Sequence, residues 1–368
     1  MTNASQAQAP GLAVIRDDVK AMHAYAVQDA AGLLKMDAME NPHGLPPALQ
    51  AALGARLGAV ALNRYPGARG DVLRQALAEH ARLPEGWDLI LGNGSDELIS
   101  LLSIACDKPG ATVLAPVPGF VMYAVSAQLQ GLGFAGVPLT ADFELDEAAM
   151  LAAIEQHCPA ITYLAYPNNP TANLWDAAVI RRVIEAVGRQ GGLVVMDEAY
   201  QPFASRTWRD EIAAHPERHG HVLLMRTLSK FGLAGVRLGY LMGAKALIGE
   251  IDKVRPPYNI SVLNCECALF ALEHAEVFAA QAQDLRRQRE RLLAALAGLP
   301  GVRTWPSEAN MVLVRVPDAA RAFDGMKARG VLVKNVSKMH PSLAGCLRLT
   351  VGTADGNARM LAALQASL

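Results

Sequence analysis

The hydrophobic and polar positions between residues 70 and 260 form two kinds of segment that alternate along the chain. Short apolar runs without a polar residue at every second position predict strands that are buried on both faces of a parallel sheet. These runs are WDLIL (87–91), ATVLA (111–115), ITYLAY (161–166), GLVVMD (192–197) and HVLLMR (221–226). Helical stretches lie between them, such as DAAVIRRVIEAVGRQ (176–190), which is followed by Gly191. The succession predicts an α/β fold, a three-layer αβα domain with a mainly parallel sheet.

The pattern changes after about residue 260. A long amphipathic helix is predicted over 275–299, and shorter strand and helix segments follow it up to a final helix. Their strand–helix–strand–strand–helix order predicts a smaller, mainly antiparallel α+β domain. We therefore expect an N-terminal arm (1–30), a large domain (31–265) and a small domain (266–368), which the N-terminal segment is expected to join.

Composition narrows the class of protein. The 368 residues are 52% hydrophobic and carry 34 basic against 35 acidic side chains, so the chain can bury a large core. A net charge of −1 gives no electrostatic footprint for nucleic acid or an anionic membrane. No apolar run approaches the roughly 18–20 residues that span a bilayer, and the first 20 residues lack the pattern of a secretory signal. Five cysteines form a sparse, odd set typical of reduced thiols, so we expect a cytoplasmic protein.

A glycine-rich segment follows the first predicted strand and opens a helix. In Gly92-Asn93-Gly94-Ser95-Asp96-Glu97, glycines allow close approach of the backbone to a ligand, and a helix start favours phosphate. An ordinary tight turn capped by Ser95 or Asp96 is the alternative. A dinucleotide-binding fingerprint would have a third glycine where Glu97 stands, which disfavours a nicotinamide-dependent dehydrogenase.

Polar side chains follow the later strands as well. Asn169 comes after the third strand, Asp197 and Tyr200 after the fourth, and Lys230 and Arg237 after the fifth. Each alone could be a solvated strand end, but in an open α/β sheet they converge on one crevice. Together they match the needs of pyridoxal phosphate: a carboxylate for the pyridine nitrogen, a lysine for the covalent link, and cations for the phosphate.

Several longer motifs, spread over almost the whole chain, resemble those of one known family. They are MDAMENPHG (36–44), LNRYPG (62–67), GNGSDELI (92–99), YPNNPT (166–171), DEAY (197–200), TLSKFGLAGVRLGY (227–240) and LAGCLRLTVGT (343–353). With these motifs the chain resembles the fold-type I pyridoxal-phosphate aminotransferases and, among them, the histidinol-phosphate aminotransferases of histidine biosynthesis.

The resemblance implies roles around the cofactor ring. Lys230 would form the covalent link to the cofactor, and Asp197 would pair with the ring nitrogen. Asn169 and Tyr200 would contact the ring 3′-oxygen, and Phe120 would stack on the ring. Of these residues, Lys230, Asp197 and Tyr200 are the expected catalytic group.

It also implies roles for the cofactor phosphate and the substrate. The phosphate site would consist of Gly94, Ser95, Asp96, Ser229 and Arg237. Tyr65 would reach the phosphate in a neighbouring subunit, which implies a homodimer with shared active sites. Arg348 would bind the substrate anion, with Tyr25 and Asn310 lining the substrate side.

The implied reaction exchanges an amino group between histidinol phosphate and 2-oxoglutarate, and gives imidazole-acetol phosphate and glutamate. An aromatic amino-acid aminotransferase and an amino-acid-phosphate decarboxylase of the same fold remain alternatives, since both would keep Lys230 and Asp197. A cofactor-sensing regulator is disfavoured because the residues before MDAMENPHG leave no room for a DNA-binding segment.

Three positions depart from the family pattern. Ala172 stands where the family has glycine, so its backbone must either avoid positive φ or tolerate strain. The segment between Lys230 and Arg237 is one residue shorter than in many relatives. Lys334 stands near a second substrate-anion arginine of some relatives, and lysine lacks the guanidinium fork. Elsewhere, Cys265 and Cys267 are read as a thiol pair and not as zinc ligands.

Overall fold

The computed structural model describes residues 10–24 and 28–368, and its contacts divide the chain into residues 1–31 and 32–368. The described part of the first unit contains a 3₁₀ turn, Pro10–Val14, and the short helix α1, Asp17–Lys20. Arg16 forms an ion pair with Asp18 beside this helix.

The second unit contains the remaining helices and all strands of the described residues. The helices are α2 (Pro47–Gly58), α3 (Arg69–Ala81), α4 (Ser95–Ala105), α5 (Met122–Gln130), α6 (Glu147–His157), α7 (Ala177–Arg189), α8 (Trp208–Ala214), α9 (Lys245–Asp252), α10 (Val262–Glu273), α11 (Ala275–Ala297), α12 (Ala319–Ala328) and α13 (Ala354–Gln365). The strands are β1 (Leu34–Lys35), β2 (Trp87–Gly92), β3 (Thr112–Val117), β4 (Gly133–Pro138), β5 (Ile161–Ala165), β6 (Leu193–Asp197), β7 (Val222–Thr227), β8 (Gly239–Ala244), β9 (Arg303–Thr304), β10 (Met311–Arg315), β11 (Val331–Leu332), β12 (Lys334–Asn335) and β13 (Cys346–Thr350). Among the described residues, no helix is both long and apolar enough to cross a membrane.

The large sheet has seven strands in the order β2-β8-β7-β6-β5-β3-β4. All are parallel except β8, which runs antiparallel to both β2 and β7. Val194 and Met196 of β6 face one hydrophobic core, and Val195 faces a second core on the other side of the sheet. Burial on both faces explains the uninterrupted apolar runs, and the predicted α/β class is confirmed.

A four-stranded antiparallel sheet with the order β12-β13-β10-β9 lies in the C-terminal part of the chain. In addition, β1 pairs in parallel with β11, so a segment near the N-terminus joins a strand of the C-terminal region. Helix α10 contacts α2 and α3, and the predicted domain boundary at 265 falls inside it. The domain limits therefore stay a prediction.

The structure decides the alternative that the sequence left open at Ala172. Ala172 has φ 65°, so of the two alternatives the chain tolerates the strained left-handed conformation. The Ala172 N–H donates to Asn168 O at 2.9 Å, and Ala172 O accepts from Glu308 N at 2.7 Å. These two backbone hydrogen bonds hold the strained residue in place.

Candidate active site

A cavity of about 380 Å³ lies beyond the carboxyl ends of the parallel strands. Its walls include nine of the predicted site residues: Ser95, Asp96, Phe120, Asn169, Asp197, Tyr200, Ser229, Lys230 and Arg237. Some of these residues lie far apart along the chain, as do Asp96 and Arg237, which are 141 positions apart. The shared strand direction brings them together because parallel strands end at the same edge of the sheet.

Asp197 is the last residue of β6 and is 5% exposed. Its Oδ2 accepts a hydrogen bond from the Tyr123 hydroxyl at 2.6 Å, and its Oδ1 accepts one from Ala199 N at 3.0 Å. Burial raises the pKa of the carboxyl group to about 6, and the hydrogen bond from Tyr123 counteracts only part of that shift. A cation in the cavity would therefore stabilise the ionised form of Asp197.

Tyr123 is a site residue that the sequence did not indicate. It lies in α5, is fully enclosed, and its ring stacks on Tyr163 with centroids 4.3 Å apart. Its only sequence signal was its position three residues after Phe120, which borders the same cavity. Burial, followed by the charge of Asp197, raises the pKa of its hydroxyl well above the usual value, so Tyr123 stays a hydrogen-bond donor.

Lys230 lies in a π-type turn, Ser229–Leu233, that directly follows β7 and Leu228. Its Nζ donates to Ala38 O at 3.0 Å and lies 5.8 Å from the centre of the Tyr200 ring. Burial, and next the nearby charge of Arg348, lower the pKa of the amine to about 8. A substantial fraction of the amine is therefore uncharged and nucleophilic slightly above neutral pH.

The start of α4 and the Arg237 side chain form one wall of the cavity. Gly94 precedes the helix at φ 84° without a side-chain cap, so N–H groups of the first turn stay available to a ligand. A Cβ atom on Gly94 would lie 3.0 Å from Arg237 Nη2, so glycine lets the guanidinium approach. The guanidinium also lies 3.5 Å from Ser229 Oγ and 3.5 Å from Asp96 Oδ2. This wall presents the donors and the positive charge that an anion such as phosphate requires.

Gly239, the first residue of β8, supports this wall from behind. A Cβ atom there would lie 2.9 Å from Ser95 N and 2.9 Å from Gly94 C. The absence of a side chain therefore allows the 94–95 peptide to pack directly on the sheet. No role was predicted for this glycine, because its contact with the 94–95 peptide depends on the antiparallel pairing of β8 with β2.

Residues 37–39 form a strap beside the cavity and link the region of the seven-stranded sheet to that of the four-stranded sheet. Three successive carbonyl groups of the strap accept hydrogen bonds from predicted site residues. The pairs are Arg348 Nη2 to Asp37 O (2.8 Å), Lys230 Nζ to Ala38 O (3.0 Å) and Asn310 Nδ2 to Met39 O (3.0 Å). The strap thus holds Arg348 and Asn310, which belong to the small-sheet region, next to Lys230.

Arg348 makes a second contact toward the cavity. Its Nη1 donates to Asn169 Oδ1 at 2.7 Å, which leaves Nδ2 of this amide as a donor for a group inside the cavity. Lys334 pairs directly with Arg348 across β12 and β13. Because directly opposed residues project from the same face of a sheet, Lys334 shares a face with Arg348.

Four of the predicted site residues that the structure describes do not line this cavity: Gly94, Arg348, Asn310 and Tyr65. Tyr65 is 78% exposed, and its ring stacks on Tyr258 with centroids 4.6 Å apart. Tyr25 lies outside the described residues.

The residues of the cavity fit pyridoxal phosphate. Asp197 is a buried acid whose ionised form has no cationic partner among residues 10–24 and 28–368, and a protonated ring nitrogen would supply one. Arg237 and the α4 start form a wall for the phosphate, and Lys230 presents an amine with a lowered pKa. Phe120 borders the same space and offers an aromatic face.

Comparisons with known proteins show the family to which the chain belongs. The profile of the family described as aminotransferase class I and II matches residues 32–364. The chain is 74% identical over 363 residues to the histidinol-phosphate aminotransferase of Acidovorax sp. (strain JS42), which covers 98% of this chain and 99% of that protein. It is 72% identical over 355 residues to the protein of the same name from Polaromonas naphthalenivorans (strain CJ2), 96% of each chain.

A solved structure extends the comparison to the fold. The histidinol-phosphate aminotransferase from Sinorhizobium meliloti, crystallised in complex with pyridoxal-5′-phosphate, superposes with a TM-score of 0.78 at 26% identity. The superposition covers 90% of this chain and 89% of that one. It confirms the predicted α/β architecture.

Proposed function

Since the chain belongs to the aminotransferase class I and II family, we propose that it catalyses reversible amino transfer between histidinol phosphate and 2-oxoglutarate. The products are imidazole-acetol phosphate and glutamate, and the reaction is a step of histidine biosynthesis. The observation that carries the proposal is the 74% identity, over nearly the full length of both chains, to a relative named for this activity.

Enzymes of this family depend on pyridoxal phosphate, and the cavity residues support a specific assignment. Asp197 would pair with the ring nitrogen, Asn169 and Tyr200 would contact the 3′-oxygen, and Phe120 would stack on the ring. The phosphate would be held by Gly94, Ser95, Asp96, Ser229 and Arg237. When bound, the cofactor supplies an electron sink that stabilises negative charge at the substrate Cα and carries the amino group between substrates.

Lys230 has two tasks in this proposal, to hold the cofactor covalently and to move a proton at the substrate Cα. Its pKa of about 8 supports the second task, because an uncharged Nζ is available near neutral pH. Asp197, which Tyr123 and Ala199 hold by hydrogen bonds, keeps a proton on the ring nitrogen. Burial of Tyr200 raises its pKa, so its hydroxyl stays a neutral donor.

Arg348 serves both substrates. The fork of its guanidinium suits the phosphate of histidinol phosphate as well as a carboxylate of glutamate. Its anchoring by Asn169 and by the carbonyl of Asp37 supports a fixed position at the far end of the site. Asn310 would line the substrate side.

The proposal includes a homodimer in which Tyr65 of one subunit reaches the cofactor phosphate of the other. The exposure of Tyr65 and its absence from the described residues that line the cavity support this arrangement. We also include a cytoplasmic location, which the sparse cysteine set supports. The described cysteines are all free thiols.

An amino-donor comparison tests the proposed function against its alternatives. The holoenzyme is assayed with 2-oxoglutarate and with histidinol phosphate, phenylalanine or threonine phosphate. We expect the highest kcat/KM with histidinol phosphate. A preference for phenylalanine would indicate an aromatic aminotransferase, and release of CO₂ from threonine phosphate would indicate a decarboxylase.

A further inference from the structure

Tyr65 lies in an exposed loop, residues 59–68, that connects α2 to α3. The ring contacts Tyr258 at an interplanar angle of 14°, and its hydroxyl makes no hydrogen bond within residues 28–368. Apart from this ring contact, the exposed side chain has little packing of its own. Its position therefore depends mainly on the backbone of the loop, and so on the contacts that hold the ends of the loop.

One carboxylate joins the two ends of this loop. Arg56 lies in the last turn of α2, and Arg69 is the first residue of α3. Arg56 Nε donates to Glu266 Oε2 at 2.8 Å, while Arg69 donates from Nε to Oε1 at 2.5 Å and from Nη2 to Oε2 at 2.9 Å. Glu266, on α10, thus closes the base of the loop.

The side chain of Glu266 is only 10% exposed, whereas Arg56 and Arg69 are 24% and 39% exposed. The hydrogen bond from Arg69 lowers the pKa of Glu266, so the carboxylate is ionised at neutral pH. Without this negative charge the two guanidinium groups would repel each other across the base of the loop. The expected response is separation of the two helix ends and displacement of residue 65.

The same part of the chain contacts the tip of the loop. Tyr258, which stacks on Tyr65, lies three residues before Ser261, the capping residue of α10. Asn259 anchors this segment, because its Nδ2 donates to Leu91 O at 3.0 Å and to Glu97 Oε2 at 2.7 Å. Base and tip of the loop are therefore both held by α10 and the residues just before it.

We propose that Glu266 is a positioning residue for the active site of a second copy of this chain. It holds Arg56 and Arg69 together so that Tyr65 reaches the cofactor phosphate of that copy. This inference rests on the cross-subunit role of Tyr65 in the proposed function. It assigns Glu266 an effect on the neighbouring site and none on the site of its own chain.

Heterodimers of two differently tagged full-length chains separate these two effects. In the trans pair, one chain carries Lys230→Ala with Glu266→Gln, and the other is unchanged. In the cis pair, one chain carries Lys230→Ala and the other carries Glu266→Gln. Only the site with Lys230 gives the visible absorption band of the linked cofactor, and titration of the apo heterodimer with pyridoxal phosphate gives its dissociation constant.

We expect the trans pair to bind the cofactor about 5-fold or more weakly than the heterodimer with Lys230→Ala alone. The cis pair should stay within about 2-fold of that reference. Equal weakening in both pairs would mean that Glu266 only stabilises its own subunit. No weakening in the trans pair would also overturn the proposal.

Tyr65→Phe in the same two arrangements separates this inference from the proposed function. Loss of a hydrogen bond to a charged group corresponds to roughly a 10- to 150-fold loss of affinity, expected only in trans. If Tyr65→Phe has no trans effect, the cross-subunit placement of Tyr65 and the role of Glu266 are both wrong. If Tyr65→Phe acts in trans and Glu266→Gln does not, only the role of Glu266 is wrong.

Two further variants complete the design. Glu273→Gln is the matched control, since Glu273 accepts from Arg56 Nη1 at 2.7 Å but is 54% exposed and does not bind Arg69. It should leave both pairs unchanged. Arg69→Gln removes the hydrogen bonds between Glu266 and the start of α3 but leaves Glu266 paired with Arg56. It replaces Glu266→Gln if the Glu266→Gln chain does not fold. It must reproduce the trans loss for the proposal to stand.

Discussion

The Arg348 guanidinium donates to the side-chain oxygen of Asn169 at 2.7 Å, although the two residues are 179 positions apart. Arg348 belongs to β13 of the four-stranded sheet, and Asn169 follows β5 of the seven-stranded sheet. The proposed substrate-anion group and a proposed cofactor contact are thus joined by one hydrogen bond. Any change at Arg348 should therefore affect both substrate binding and the orientation of the Asn169 amide.

The first prediction concerns Arg348→Lys, which keeps the charge and loses the fork. Loss of a charge-assisted hydrogen bond should cost about 1.5–3 kcal/mol, or roughly 10- to 150-fold in kcat/KM. Both half-reactions should suffer, because both substrates use this residue. Single-turnover measurements with glutamate and with histidinol phosphate check this. Impairment with glutamate alone would show that another group binds the substrate phosphate, and Lys334 would be tested first.

The second prediction concerns Lys230. The purified holoenzyme should be yellow, and Lys230→Ala should lose the absorption band of the linked cofactor together with nearly all turnover. Lys334→Ala is a control that removes a lysine from the neighbourhood of Arg348 without touching the covalent link, so the band should persist. Transamination by Lys230→Ala at the rate of the unchanged enzyme would refute the assignment.

The third prediction concerns the stability of the cofactor-free protein. The pKa of Asp197 rises from 3.8 in the unfolded chain to about 6 in the folded one, so the folded state binds more protons between these values. The free energy of unfolding should therefore fall as pH rises from about 4 to 6, by up to about 3 kcal/mol. Asp197→Asn should abolish this loss, so the apo variant should be the more stable protein above pH 6.

Denaturant unfolding of both apo proteins at pH 4.5, 6 and 7.5 measures this difference. In the holoenzyme, by contrast, the Asp197→Asn variant should be the less active protein, because the substitution removes the charge that keeps the ring nitrogen protonated. Its turnover should fall by several orders of magnitude. Parallel pH profiles of stability in the two apo proteins would contradict the burial argument.

The fourth prediction concerns Tyr123→Phe. This change removes the hydrogen bond from Tyr123, which lowers the pKa of Asp197, whereas burial, which raises that pKa, remains. The pKa of Asp197 should therefore be higher in the variant. The pH range over which the apo protein loses stability should therefore extend to higher pH than in the unchanged chain. The same unfolding experiment checks this shift. Asp197→Asn in the Tyr123→Phe background should remove the shift, since Asp197 is the group that titrates.

The fifth prediction concerns the dimer. Mixed Lys230→Ala and Tyr65→Ala subunits should regain activity, because each heterodimer contains one site with both residues intact. The comparison requires that Tyr65→Ala alone is substantially inactive. If confirmed heterodimers show no recovery, Tyr65 does not act across subunits.

Much of the fold and the site could be predicted from local sequence. Uninterrupted apolar runs such as 222–227 exist because a parallel sheet buries both faces of its strands. Since such strands end at one edge, Asp197 and Lys230 could be assigned to one crevice without coordinates. The glycine-rich turn at Gly94 likewise indicated an anion site at a helix start.

Other features depend on pairings that no local pattern encodes. Tyr123 donates a hydrogen bond to Asp197, 74 positions away in the chain, and Lys230 donates one to Ala38 O of the strap, 192 positions away. Glu266 joins Arg56 to Arg69 only because α10 packs on α2 and α3. The sequence by itself determined which side chains stand at strand ends, because uninterrupted apolar runs mark the strands of a parallel sheet that is buried on both faces. Only the tertiary structure decided which of them touch, because contacts between distant segments arise from the packing of whole elements.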